Sequence, residues 1–253
     1  VDACKNDFLT FVNVMWPEFI AGEHHRIIAE KFERVARGEL KRLIINMAPR
    51  HTKSEFASYL LPAWMIGKNP NMKIIQATHT TELAVSFGRK IKNLLEREDY
   101  TDIFPDARLS VDSKASGRWD TARGGMYYAV GVGSNLAGRG GDLIIIDDPH
   151  SEQTAMSASG FDNDWDWYTG GPRQRLQPGG AIILVMTRWS EKDLTGQLQR
   201  QMIKDERADQ WEVVELPAVM PSGNSCWPEF WPIDDLEKVQ ASIPPSKWNA
   251  QYQ

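Results

Sequence analysis

Two periods of apolar residues run along this chain. Over residues 8–37 the positions Phe19, Ile27, Ile28, Phe32 and Val35 form a helical stripe, and Gly38 supplies a stop. Short continuous apolar runs at 42–47, 73–77, 143–146 and 181–186 suit strands buried on both faces, as parallel strands are. Residues 126–132 alternate enough for a further strand, and 211–215 fits a final edge strand. Helices are predicted over 55–66, with Pro62 bending the segment before Gly67 and Pro70 close it. Another begins at Thr80/Thr81 and runs to Arg97, with Leu83, Phe87, Ile91, Leu94 and Leu95 on one side. Residues 161–168 and 194–203 are also expected to be helical. Strands that alternate with helices predict an α/β fold, an open and mostly parallel sheet with helices on both faces. Residues 1–215 read as this core. Residues 216–253, rich in Pro, Gly and Trp, read as a small lid or linker subdomain. No internal repeat or low-complexity tract interrupts the pattern.

One junction in this pattern carries chemistry. Between the strand at 42–47 and the helix at 55 lies Ala48-Pro49-Arg50-His51-Thr52-Lys53-Ser54-Glu55. Strand, tight loop, Lys-Ser, helix is the layout of a phosphate-binding P-loop. Backbone N–H groups of such a loop surround phosphate oxygens, and the helix N-terminus adds a favourable dipole. Lys53 then reaches the β/γ-phosphates and Ser54 ligates Mg²⁺; Arg50 and His51 lie within the loop and within reach of phosphate. The usual pattern has Gly immediately before the Lys and six residues before it, where this chain has Thr52 and Met47. The alternative is an ordinary helix cap by Thr52 or Ser54, with Glu55 in the first turn.

A second motif favours the phosphate reading. Leu143-Ile144-Ile145-Ile146-Asp147-Asp148-Pro149 is an apolar strand ending in two carboxylates, and Asp147 lies 94 residues after Lys53. In a P-loop ATPase the strand beside the P-loop strand is expected to end in an acid that holds Mg²⁺, followed by one that orients or deprotonates the attacking water. That assigns Asp147 to the metal and Asp148 to the water; a strand-terminating turn is the bland alternative. Just before this strand, Leu136-Ala137-Gly138-Arg139-Gly140-Gly141 presents one guanidinium among glycines. Arg139 is read as an arginine finger toward a neighbouring subunit's γ-phosphate, with Arg50 as runner-up and a solvated turn as the alternative. Thr187, directly after the strand at 181–186, would face the crevice at the strand ends and sense the γ-phosphate, unless it only satisfies a local turn. His24 and His25, adjacent on a helix, make a poor metal pair; with Trp16, Pro17 and Phe19 they are placed at the border of the adenine, or in the core.

Composition narrows the partners. A net charge of −5 gives no global basic signature, so nucleic-acid contact must be local or lie outside this chain. Cys4 and Cys226 are the two cysteines, far apart and without metal-type spacing, which fits a reducing compartment. No run approaches the roughly 20 apolar residues that span a membrane. Val1 at the start fits a fragment of a longer protein.

Taken together, Ala48–Glu55, Gly138-Arg139-Gly140, Ile144–Pro149 and Met186-Thr187-Arg188-Trp189 resemble the ATPase domain of the large terminase subunit of tailed bacteriophages. The resemblance covers essentially the whole chain, and Trp248–Gln253 resembles the segment that leads into that family's nuclease domain, expected beyond Gln253. It implies the additional-strand (ASCE) class of P-loop fold and an Mg²⁺-dependent, ATP-driven motor that translocates double-stranded DNA. It also implies a homo-oligomeric ring on the portal protein of the procapsid, a small terminase subunit as partner, and the host cytoplasm during phage assembly as location. The isolated domain is expected to be monomeric. Against the family pattern, Thr52 adds a Cβ where Gly is usual, and Asp148 stands where many relatives carry Glu. Rival readings are a helicase on the same core, a nuclease built on Asp142, Asp147 and Asp148, and a nucleotide-binding scaffold without turnover. Side chains of adjacent strand residues point to opposite faces, which counts against the nuclease.

Overall fold

The chain enters its sheet through three helices, α1 (Asp2–Asn6), α2 (Phe8–Met15) and α3 (Glu23–Ala36), followed by β1 (Arg42–Met47). The computed structural model describes residues 1–113, 115–136 and 138–253. The apolar stripe expected to form one helix over 8–37 is broken in two. Pro17 cannot continue α2, and α3 starts only after Gly22, an extended residue where a Cβ would lie 2.6 Å from the Trp227 ring.

After β1 the loop over residues 48–54 leads into a π-helical segment (Glu55–Leu60) that continues as α4 (Leu61–Lys68). Pro62 lacks an N–H and its ring would crowd the carbonyl of Ser58; the widened turn takes up that misfit. Then follow β2 (Lys73–Thr78), α5 (Thr81–Leu95), α6 (Glu98–Ile103), β3 (Arg118–Asp120), β4 (Met126–Gly131) and β5 (Gly141–Asp147). Thr80 caps α5 by accepting from the Leu83 N–H. The second half comprises α7 (Glu152–Met156), α8 (Gly160–Gly170), α9 (Pro172–Arg175), β6 (Leu176–Met186), α10 (Leu194–Lys204), β7 (Glu212–Leu216), α11 (Ile233–Ser242) and α12 (Pro245–Gln251).

The seven strands lie in the order β3-β4-β2-β5-β6-β1-β7. All neighbours are parallel except β3, which runs antiparallel to β4 at the edge. The expectation that the acid-bearing strand lies directly beside the phosphate-loop strand is corrected: β6 stands between β5 and β1. That inserted strand is what the additional-strand class denotes, and its apolar 181–186 run is buried on both faces as the position demands.

Strand residues alternate between two cores. Leu43, Ile45, Ile74, Leu143, Ile145, Ile183 and Val185 pack under the N-terminal helices, against Phe8, Phe32, Phe56 and Trp64. Ile44, Ile75, Ile144, Ile146, Ile182 and Leu184 pack on the other face against Trp167 and Tyr168 of α8, Leu194 and Leu198 of α10, and Trp211. The register Ile45↔Val185 and Ile146↔Leu184 brings the C-terminal ends of β1, β5 and β6 to one edge of the sheet. Beyond β7 the chain returns across that edge. Trp248 is buried there with Ala48, Ala218 and Leu236, and Ala218 N–H bonds the Tyr252 carbonyl.

Candidate active site

The loop between β1 and the π-helical segment holds two non-glycine residues in left-handed backbone conformation, Arg50 (φ 63°) and Thr52 (φ 68°). For a β-branched residue this is costly, about 1–2 kcal/mol. A chain of hydrogen bonds holds Thr52 in place. His25 Nδ1 accepts from the Gly22 N–H at 2.8 Å, which leaves the proton on Nε2, 2.6 Å from Thr52 Oγ1. Thr52 Oγ1 in turn donates to the His51 carbonyl at 2.5 Å. Burial, with His24 and His51 alongside, pushes the His25 pKa down to about 2 and keeps the ring neutral. Thr52 therefore adopts the backbone geometry that glycine would give freely, through a partner on α3.

Lys53 and Ser54 stand at the helix start facing the end of β5. Lys53 Nζ lies 2.7 Å from Asp148 Oδ2, and Ser54 Oγ donates to Asp147 Oδ1 at 3.0 Å. Ser58, one turn on, donates to Asp147 Oδ2 at 2.6 Å and accepts from Gln76 Nε2 of β2. Asp147 is 1% exposed. Burial first, and then the neighbouring Asp148 carboxylate, hold its pKa well above the usual carboxylate range, while Lys53 and the two hydroxyls pull it down. Asp148 leaves the strand with φ 42°, so its carboxylate comes to the same side as Asp147. This corrects the expectation that adjacent acids diverge: strand alternation ends at Asp147. Asp148 Oδ1 accepts from the Thr187 N–H at 2.7 Å, and Thr187 Oγ1 donates to the Met47 carbonyl at 3.3 Å.

A cleft of about 530 Å³ opens over this cluster, lined by Arg50, Thr52, Lys53, Ser54 and Glu55 and by Phe230 and Trp231. Pro49 lies below it and its carbonyl meets His51 Nδ1 at 2.8 Å. The His51 ring is buried and turned toward Trp227 and Trp231, and His51 is not among the residues that line the cleft. His24 and His25 are likewise buried, against Trp227, Phe19 and Phe56; they support the loop and do not line the cleft.

Thr187 begins a connection away from the site. Asp193, the N-cap of α10, takes the Gly196 N–H on one oxygen and Arg188 Nε with the Trp189 and Ser190 N–H groups on the other. His150 Nε2 accepts from the Leu194 N–H and its Nδ1 faces Asp164 of α8 at 2.5 Å. Both segments leaving the strand ends are thereby fixed to the same helix start.

Two predicted residues are not at this cluster. Asp142 sits at the opposite end of β5, where it accepts from the Lys73 N–H, so the three-carboxylate nuclease arrangement does not form. Among the described residues no group of three or more His, Cys, Asp or Glu could hold a metal ion. Arg139 lies over the Tyr128 ring of β4, its guanidinium 4.0 Å from the centroid; Ala137 of that loop lies outside the described residues. From β4 to β1 is four inter-strand steps, roughly 19 Å. The sequence reading missed Ser58, Gln76, Phe230 and Trp231; the aromatic density of residues 227–231 was the one signal for the last two.

No family model matches the chain, and no curated protein does. Solved structures do match in fold. The HK97 bacteriophage large terminase superposes with a TM-score of 0.62 at 13% identity, over 97% of this chain and 53% of that one. The chain thus spans about half the length of that protein. A mutant of the Thermus phage P74-26 large terminase ATPase domain superposes with a TM-score of 0.57 at 14% identity, covering 96% of both chains. The unmutated P74-26 domain gives 0.53 at 14% identity, over 88% of this chain and 93% of that one. The chain has a fold similar to that of these phage large terminase ATPase domains.

Proposed function

We propose that this chain is an Mg²⁺-dependent ATPase, the motor domain of a large terminase that packages double-stranded viral DNA. The observation that carries the proposal is the meeting of Lys53–Asp148 and Ser54–Asp147 at the strand ends, beneath an open cleft. The fold likeness supports the packaging role.

In this reading the loop N–H groups and Lys53 bind the phosphates. A serine hydroxyl and one carboxylate, adjacent and made of hard oxygen donors, suit Mg²⁺, which when bound would neutralise charge developing on the phosphates. Ser54 and Asp147 are those donors. Lys53 is paired with Asp148 before phosphate arrives; its transfer to phosphate frees Asp148 Oδ2 to orient and deprotonate water. Asp148 Oδ1 stays on the Thr187 amide, so its charge state is felt by the segment that Asp193 ties to α10. Arg139 is too far to serve its own site and acts on a neighbouring subunit's in a ring, with the portal protein and small terminase subunit as partners in the host cytoplasm. Residues 216–253 serve as a lid over the loop.

The scaffold alternative has one observation in its favour: both oxygens of Asp148 are occupied by this chain's own groups. ATP hydrolysis measured with and without double-stranded DNA, for the wild type and Lys53→Ala, decides between them. Turnover that Lys53→Ala abolishes is expected; binding without turnover under every condition favours the scaffold.

A further inference from the structure

The cleft over the phosphate loop has two chemically different ends. One end carries Lys53, Ser54 and the loop backbone; the other is walled by Phe230 and Trp231, from a segment more than 170 residues later in the chain. Phe230 is 49% exposed and is the only exposed aromatic among the described residues. Its ring is nonetheless held. Trp227 stacks on one face at 4.4 Å between centroids with 18° between planes, and Trp231 meets it edge-on at 5.7 Å and 81°. Trp231 is itself fixed to the loop, donating its Nε1–H to the Arg50 carbonyl at 3.2 Å and lying parallel to the His51 ring. An aromatic ring that is rigid, open on one side and continuous with a phosphate cradle is a prepared surface for a planar ring joined to phosphates.

We infer that Phe230 is the stacking platform for the base of the bound nucleotide, with Trp231 holding it in register with the phosphate loop. The inference rests on the nucleotide reading above and deepens it. The Trp231–Arg50 bond matters because it sets the separation between the base end and the phosphate end of the cleft. Stacking tolerates any base, so the platform supplies affinity, and discrimination among purines would fall to other groups.

The test is direct binding to the intact chain by calorimetry, with two probes, ATP and inorganic tripolyphosphate, each with Mg²⁺. The wild type should bind ATP more tightly than tripolyphosphate. Phe230→Ala should weaken ATP by roughly 5- to 150-fold, the range expected for one base–aromatic stack, and leave tripolyphosphate unchanged. Phe230→Leu, which keeps an apolar side chain but removes the aromatic face, should behave like Phe230→Ala; Phe230→Trp should retain ATP affinity. Thermal unfolding of each variant checks that the fold persists. If the wild type binds both probes equally, or Phe230→Leu binds ATP as the wild type does, the platform is refuted and the phosphate site stands. If the wild type binds neither probe, the nucleotide reading falls, and the platform with it.

Discussion

The most strained residue of the site, Thr52, shows how a motif survives a departure from its usual composition. A left-handed threonine costs about 1–2 kcal/mol, and two hydrogen bonds of about 1 kcal/mol each offset it. Thr52→Gly removes both the strain and the hydroxyl and is expected to change stability by less than about 1 kcal/mol. Thr52→Val leaves His25 Nε2 without its hydroxyl partner just as Thr52→Gly does but keeps the strain, so it should cost about 2–4 kcal/mol in urea unfolding. Equal losses in the two variants would show that φ strain at 52 is unimportant. The acids separate in a similar way. Asp147→Ala removes the partner of Ser54 and Ser58 and should weaken Mg²⁺–ATP binding. Asp148→Asn keeps an oxygen for the Thr187 amide while losing the base, so binding should persist and kcat fall by about 10²–10⁴-fold. Isothermal binding and steady-state turnover on the same samples test the division; equal loss of binding in both variants overturns it. Lys53, Ser54, Asp147 and Asp148 were legible because spacing within one strand–loop–helix segment, or at one strand end, fixes them locally. Ser58, Gln76 and His25 were not, since their roles arise from which element lies next to which, and nothing in a linear pattern marks a serine four residues past Ser54 as an acid's second donor.

At the scale of elements, two helix starts carry the site's connections. Asp193 is fully buried and satisfies four N–H groups or guanidinium hydrogens at the start of α10. Replacing a cap alone costs about 0.5–2 kcal/mol. Asp193→Ala should exceed that range, because the 187–190 turn loses its anchor too, and should lower turnover more than nucleotide affinity. Unchanged kcat in a folded Asp193→Ala protein would show that the Thr187–α10 connection is structural only. The start of α3 gives a pH prediction. His25 is held neutral to about pH 2 and His24 to about pH 4, chiefly by burial, whereas unfolded histidine titrates near 6.5. Below about pH 6.5 the unfolded state binds more protons, so stability is fully present above that pH and is lost as the pH falls toward 4. Melting temperatures between pH 7.5 and 5 should decline, and His25→Gln should flatten the slope even if it lowers the plateau. Periodicity located β1, β2 and β5 within a residue or two, because buried parallel strands are continuous apolar runs; β4, read from its alternation, and β7, read as an edge strand, were placed as closely. It joined α2 to α3, because an apolar stripe does not record that the chain leaves the helix at Trp16–Pro17 and starts a new one after Gly22.

For the whole molecule, the legible part was the class of fold and the illegible part was strand order. Each strand's burial is written in its own residues, but the insertion of β6 between β5 and β1 depends on crossovers that no single segment encodes. Strand order in turn decides what Arg139 can do. Roughly 19 Å of sheet separates β4 from β1, more than one arginine spans, so Arg139 meets a γ-phosphate on another subunit or none. In the structure its guanidinium rests on Tyr128, both side chains half-buried, an arrangement worth roughly 0.5–2 kcal/mol. An isolated domain should therefore hydrolyse ATP weakly, with specific activity that rises with protein concentration as subunits meet. Arg139→Ala should abolish that rise and scarcely change ATP affinity, since a finger stabilises charge that develops only in the transition state. Mixing gives the decisive version. An Arg139→Ala subunit keeps an intact pocket, and a Lys53→Ala subunit keeps an intact finger. Each should be nearly inactive alone, and together they should recover part of the wild-type rate at mixed interfaces. If mixing restores nothing at concentrations where wild-type subunits activate one another, Arg139 does not serve a neighbour. Arg50, exposed at the mouth of the cleft, is then the guanidinium left to meet the phosphate charge.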